Sequence, residues 1–244
     1  MIASLGMYDM PAVQTANDRF WARIHAHLGY GPSRLTRDID PWVLWQSPEL
    51  LLAQTCGMPY RTRLHETVAL VGTPDYGMVG CPPGHYNSVL VVRADAPGDR
   101  LHDFSGGRFA YNEAMSQSGW AAPMTYLNAL GVAFAEHIKT GAHAASAKAV
   151  ADDVADMAGL DVVTWTLLQD HDPVAKRLKV IATTTPTPGL PLITAQGRDT
   201  ASIAAAVRRA IVELAPDDRA ALHIKGLIDI PTHTYLTVPN PPSP

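Results

Sequence analysis

Cysteine is scarce in this chain, with two residues, Cys56 and Cys81, in 244 positions. Two thiols cannot build a zinc site without histidine, and no histidine stands at finger-like spacing from them. They form one disulfide or remain free; their spacing leaves both open. Charge is also thin, with Asp, Glu, Lys and Arg at 17% and a formal net charge of −4. No dense Lys/Arg run occurs, so nothing points to nucleic acid as a partner. Apolar runs such as Val89–Val92 fall far short of the roughly 20 residues that cross a bilayer. The glycine-rich phosphate motifs G-x-x-x-x-G-K-[ST] and G-x-G-x-x-G between strand and helix are missing. So is the G-x-S-x-G elbow of hydrolases. Residues 1–20 show no basic start, apolar middle and small-residue cleavage pattern of a secretory signal.

Apolar residues make up 47% of the chain, enough for a substantial core. The length suits one large α/β domain or two lobes of about 100 residues each. Strand-like and helix-like segments alternate, which predicts an α/β architecture with mostly parallel sheets. Ile2–Tyr8 reads as the first core strand. Val13, Ala16, Phe20, Ile24 and Leu28 then recur at helical spacing, ended by Gly29 and Gly31. Ser47-Pro48-Glu49 has the pattern of a helix start, with a Ser cap and Pro in the first turn. Thr67–Gly72, Asn87–Arg93, Leu160–Trp165 and Leu178–Ala182 read as strands. Ile203, Val207, Ile211 and Leu214 lie in phase on a further helix. The segment from Pro239 to Pro244 is expected to be disordered. His25 and His27 stand two apart on a helix, a poor metal pair, and Asp152, Asp153 and Asp156 read as a solvated helix face.

The segment from Arg108 to Trp120 is the most informative. It reads as a short strand that breaks into a polar turn and opens a helix. Ser116, Ser118 and Gly119 fall at the helix start, where backbone N–H groups lack intrahelical partners and the peptide dipoles present their positive end. Such a turn either caps its helix or holds an oxyanion. A second strand-to-helix passage follows at Thr140–Ser146. Together with Tyr8-Asp9 and Gln54–Gly57, these turns carry neutral hydrogen-bonding groups, a composition that favours binding over catalysis.

Several ordered segments resemble one family. They are Leu51–Tyr60, Val71–Tyr76, Gly80-Cys81, Tyr86–Arg93, Asn112–Gly119, Thr140–Ser146, Gly159–Asp161 and Pro188–Pro191. The family is the phosphate/phosphonate-type substrate-binding proteins of ABC transporters, within the type II periplasmic binding protein fold, and the resemblance spans about residues 8–235. It implies two Rossmann-like α/β lobes joined by two crossing strands around a central cleft. Lobe one would be residues 1–87 and 184–244, and lobe two residues 88–183. The implied function is hinge-closing capture of a small oxyanion-bearing solute for an ABC permease. No catalysis, cofactor or metal is implied, nor embedding in a membrane.

The ligand-binding residues that the resemblance implies are Tyr8, Gln54, Thr55, Asn112, Ser116, Gln117, Ser118, Gly119, His143 and Asp161. Asp161 has a second reading, as the cap of a strand end. If His143 contacts the anion in its protonated form, affinity should fall as pH rises through its pKa. The two cysteines resemble the family's pair, which implies a Cys56–Cys81 disulfide and a periplasmic location; the missing leader pattern leaves a cytoplasmic relative as the alternative. A different class of function is an enzyme on the same fold, with Cys56 as nucleophile and His143 or His85 as base. A ligand-sensing protein is a third.

Overall fold

The computed structural model describes residues 1–244. In chain order the elements are β1 (Ile2–Ser4), α1 (Gln14–Leu28), α2 (Pro41–Trp45), β2 (Leu50–Gln54), α3 (Gly57–Pro59), β3 (Val68–Asp75), β4 (His85–Tyr86) and β5 (Ser88–Arg93). Then come β6 (Arg108–Tyr111), α4 (Ala122–Ala129), β7 (Glu136–Lys139), α5 (His143–Ala151), β8 (Met157–Asp161), α6 (Val162–His171) and β9 (Leu178–Thr183). The last are β10 (Thr187–Pro188), β11 (Leu192–Ala195), α7 (Thr200–Glu213), α8 (Pro216–Leu222), β12 (Gly226–Ile228) and α9 (Thr232–Leu236). The chain divides into two compact units, Met1–His85 with Pro188–Thr237, and Tyr86–Thr187 with Val238–Pro244. The last seven residues therefore belong to unit 2, whereas the resemblance groups them with lobe one.

Unit 1 is built on a five-stranded sheet in the order β1-β2-β11-β3-β12. β1 and β2 pair in parallel, while β11 runs antiparallel to both β2 and β3. Every residue of β2 is buried, which explains its continuous Leu-Leu-Leu-Ala run: a central strand covered on both faces has no polar side to show. α1 buries Ala16, Phe20, Trp21 and Ile24 and ends at Gly29, whose left-handed φ of 73° lets its N–H reach the His25 carbonyl at 2.9 Å. The helix packs on α7 and α8. Arg19 clamps the buried Asp218 carboxylate of α8 through Nε at 2.8 and 3.0 Å.

Unit 2 has a second five-stranded sheet, β7-β6-β8-β5-β9. β6 pairs in parallel with β7 and β8, and β5 is antiparallel to β8 and β9. Leu90, Val92, Phe109, Trp120, Leu127, Val132 and Met157 form its core. Burying each such aliphatic or aromatic side chain contributes about 1.5–3 kcal/mol before entropy is counted. A short ladder joins β4 to β10.

Four local expectations need correction. The sheets are mixed rather than mostly parallel, because β5 and β11, the first long strand after each change of unit, enter against the direction of their neighbours. Ser47-Pro48-Glu49 starts no helix. Ser47 Oγ accepts from the Glu49 N–H at 3.2 Å and its carbonyl takes the Leu50 N–H at 3.0 Å, a turn that feeds β2. The helix lies earlier, where Asp40 caps the N–H groups of Trp42 and Val43 at 2.9 and 3.3 Å. Leu160–Trp165 is not a strand throughout: β8 stops at Asp161 and α6 begins at Val162. Ile2–Tyr8 likewise ends as a strand at Ser4 and continues as a 3-10 turn over Gly6–Tyr8.

Candidate functional site

Because β6, β7 and β8 are mutually parallel, their carboxyl ends fall on one edge of the unit 2 sheet. That edge is where open α/β sheets present ligand-binding turns. It carries Asn112 after β6, Thr140–His143 after β7 and Asp161 at the end of β8. β5 arrives from the opposite direction with Ser88 opposite Asp161, so Asn87 and Ser88 come to the same edge.

The Ser116 turn is held by its own cap. Ser116 Oγ accepts from the Gly119 N–H at 2.9 Å, and the Ser116 carbonyl takes the Trp120 and Ala121 N–H groups at 3.2 and 2.9 Å. The Ser118 N–H precedes the first intrahelical bond by helix geometry. Gly119 is required by packing, since a Cβ there would lie 1.9 Å from Asn112 Oδ1. Asn112 is tied to the next turn through its carbonyl, which accepts from the Gly141 N–H at 2.9 Å. Its side-chain oxygen is buried without a hydrogen-bond partner. Ser116, Gln117 and Ser118 are all buried, and Gln117 Nε2 approaches Thr187 Oγ1 at 3.5 Å.

Ser118 Oγ meets His143 Nε2 at 3.0 Å, joining the turn ahead of α4 to the start of α5. Loss of hydration lowers the His143 pKa to about 4, and its Nδ1 is buried without a hydrogen-bond partner. Burial thus disfavours the charged imidazole. α5 opens at Ala142 with no side-chain cap, so its first N–H groups are not met by a capping side chain. Lys139, just ahead of this turn, is spent on Glu113 at 2.7 Å. The edge thus offers hydroxyl and amide dipoles.

Asp161 serves as a cap. Its Oδ1 accepts from the Val163 and Thr164 N–H groups at 2.8 and 3.1 Å and starts α6. Two polar residues missed by the helix-start reasoning lie beside it. Asn87 Oδ1 and Ser88 Oγ are buried without hydrogen-bond partners, while the Ser88 N–H donates to Thr184 Oγ1 at 2.9 Å. Their signal was the Tyr86–Arg93 segment of the family resemblance, where they stand just ahead of an apolar strand.

In unit 1 the carboxyl ends of β1 and β2 carry Tyr8 and Gln54-Thr55. Gln54 Nε2 donates to Tyr76 Oη and to the Leu190 carbonyl, both at 3.2 Å. Tyr76 in turn meets Tyr8 edge to face, with ring centroids 5.1 Å apart. Tyr76 is thus the link between two expected site residues, which spacing alone did not reveal. The Thr55 hydroxyl is fully buried with no partner.

Cys56 and Cys81 stand as thiols, without the disulfide that the resemblance implies. Cys56 stands just after β2 and Cys81 in the loop between β3 and β4. Burial raises the Cys81 thiol above its ordinary pKa, which disfavours the thiolate. Both bases suggested for Cys56 have other partners: His143 has Ser118, and His85 Nδ1 meets the Pro83 carbonyl at 3.1 Å. No group of three or more His, Cys, Asp or Glu side chains is placed to hold a metal ion. No helix is long and apolar enough to cross a membrane.

Two mixed α/β units with hydrogen-bonding turns at their strand ends have the fold of solved periplasmic binding proteins. Residues 54–230 match the periplasmic substrate-binding proteins of phosphonate ABC transporters, and the chain belongs to that family. The family consists of transport components and not of enzymes, and it implies a permease partner, a small-molecule ligand and a periplasmic setting.

Solved structures agree in fold at low identity. PhnD1 from Prochlorococcus marinus in complex with methylphosphonate is 16% identical with a TM-score of 0.76, covering 96% of this chain and 93% of its own. A binding protein component of an ABC phosphonate transporter from Pseudomonas aeruginosa is 18% identical with a TM-score of 0.71, covering 93% and 80%. The XAC2383 protein of Xanthomonas citri bound to ATP is 16% identical with a TM-score of 0.69, covering 96% and 92%. No curated protein matches the sequence.

Proposed function

We propose that this protein binds a small phosphonate- or phosphate-like oxyanion at the strand-end edge of unit 2 and delivers it to an ABC permease from the periplasm. One observation carries the reading: the Ser116-capped turn and the uncapped start of α5 are joined there by the Ser118–His143 contact. Helix starts suit anions because unpaired N–H groups and the positive end of the dipole coincide. Neutral donors hold such a ligand without reacting with it. Asn112, Gln117 and Gly119 would shape the pocket around it. Tyr8, Gln54 and Thr55 are proposed as the contribution of unit 1 and hinge closure as the capture step, on the strength of the family.

Calorimetric titration with methylphosphonate and with inorganic phosphate tests this. One of them should bind with saturable single-site behaviour. Ser118→Ala should weaken that affinity about tenfold, the effect of losing one hydrogen bond to a charged group, while leaving the unfolding temperature within a few degrees. Unchanged affinity in the variant would remove the anion from this turn.

A further inference from the structure

The segment expected to be disordered is the most informative part of unit 2 outside the site. Val238-Pro239-Asn240-Pro241-Pro242-Ser243-Pro244 has four prolines in seven residues, a composition that favours the polyproline II conformation. The Trp120 indole Nε1–H donates to the Pro242 carbonyl at 2.9 Å. Pro241–Pro244 line a cavity of about 220 Å³ together with Trp120, Met124, Phe134 and His137. Trp120 is almost fully buried and is wedged between Tyr111 and His137, with ring centroids at 5.0 and 4.9 Å. An aromatic-lined groove with an indole donor to a proline-rich carbonyl is the general means by which folded domains hold polyproline II peptides.

We propose that Val238–Pro244 is a built-in peptide ligand that straps the Ser116 turn in place. Trp120 connects the two. It lies within the turn Gln117–Ala121, two positions after Ser118, and its own N–H donates to the Ser116 carbonyl at 3.2 Å. The indole side of the same residue is fixed by the proline-rich segment. Releasing the segment removes the partner of a buried indole donor and opens the groove beside α4. Water then competes for the indole, and the helix start that carries Ser118 loses its outer support. The occupant is the chain's own segment: it is already seated, and two overlapping P-x-x-P patterns, Pro239–Pro242 and Pro241–Pro244, fit the groove's chemistry. This role deepens the anion-binding reading, because the strap would tune that turn, but its primary readout requires no ligand.

The test compares the full chain with a variant ending at Thr237, using hydrogen–deuterium exchange over residues 116–124 and the Trp120 indole N–H resonance, assigned by Trp120→Phe. Removing the segment should speed exchange at the turn about fivefold, the factor expected for one lost hydrogen bond. It should also shift the indole signal. Adding the peptide Val-Pro-Asn-Pro-Pro-Ser-Pro in trans should reverse both, while a peptide with glycine at every proline should not. If the shortened chain does not fold, Trp120→Phe in the full chain replaces it, and the same acceleration should follow with the ring retained. Unchanged exchange in a folded variant, or equal rescue by the glycine peptide, would overturn the strap. Should methylphosphonate and phosphate both fail to bind the full chain while exchange still responds, the anion reading falls and the strap stands.

Discussion

At the residue scale the chemistry turns on His143. Its pKa lies near 4 because burial beside Ser118 penalises the charged ring, whereas an unfolded histidine titrates near 6.5. The unfolded chain therefore binds the proton first as pH falls. Stability contributed by the neutral ring is present above about pH 6.5, declines between there and pH 4, and levels off below. Relative to His143→Gln, the native protein should lose about 2 kcal/mol between pH 7 and 4.5, measured by urea unfolding at each pH. Parallel pH profiles for the two proteins would show that the ring is not held neutral. Gly119 makes the same point about proximity. A glycine in a Ser-x-Ser-Gly string looks like ordinary turn punctuation, yet what demands it is Asn112 Oδ1 pressing where a Cβ would stand.

At the element scale, caps decide which polar residues remain for a ligand. Asp161 was readable from the sequence as either a strand-end cap or a ligand partner, and its two N–H contacts at the start of α6 commit one carboxylate oxygen to the helix. Asp161→Asn should keep the cap and lie within a few tenths of a kcal/mol of the native protein, since Asn and Asp cap about equally well. Asp161→Ala should cost about 1–2 kcal/mol in chemical denaturation. If Asn were as damaging as Ala, the carboxylate's charge rather than its cap would be what the fold uses. The local patterns were most legible where one helix face meets the core, as in α1 and α7. They misled at Leu50–Gln54 and Leu160–Trp165, where neighbours in a sheet settle the conformation. Ser47-Pro48 has a helix-start pattern, but burial of Leu50, Leu51 and Leu52 on both faces of a central strand outweighs it.

At the scale of the whole molecule, two compact units and three passages of the chain between them, after His85, Thr187 and Thr237, organise everything above. The first two passages bring in β5 and β11, which run antiparallel to both of their sheet neighbours. The third delivers the proline-rich segment to unit 2. The two cysteines stand as thiols in the loops that follow β2 and β3. Thiol titration of the denatured protein, prepared without reductant, should find two thiols, and reductant should leave the unfolding temperature unchanged. Finding none would establish the disulfide that the resemblance implied.

Hydrophobic period and capping chemistry are local properties, so the alternation of elements, the family and the polar turns at the strand ends were legible in the linear chain. Only the folded chain shows that burial disfavours a charged His143, that Asp161 caps α6 and that the Val238–Pro244 segment is seated on Trp120. Each of those depends on which distant groups crowd a side chain, and burial and pairing are set by neighbours in space.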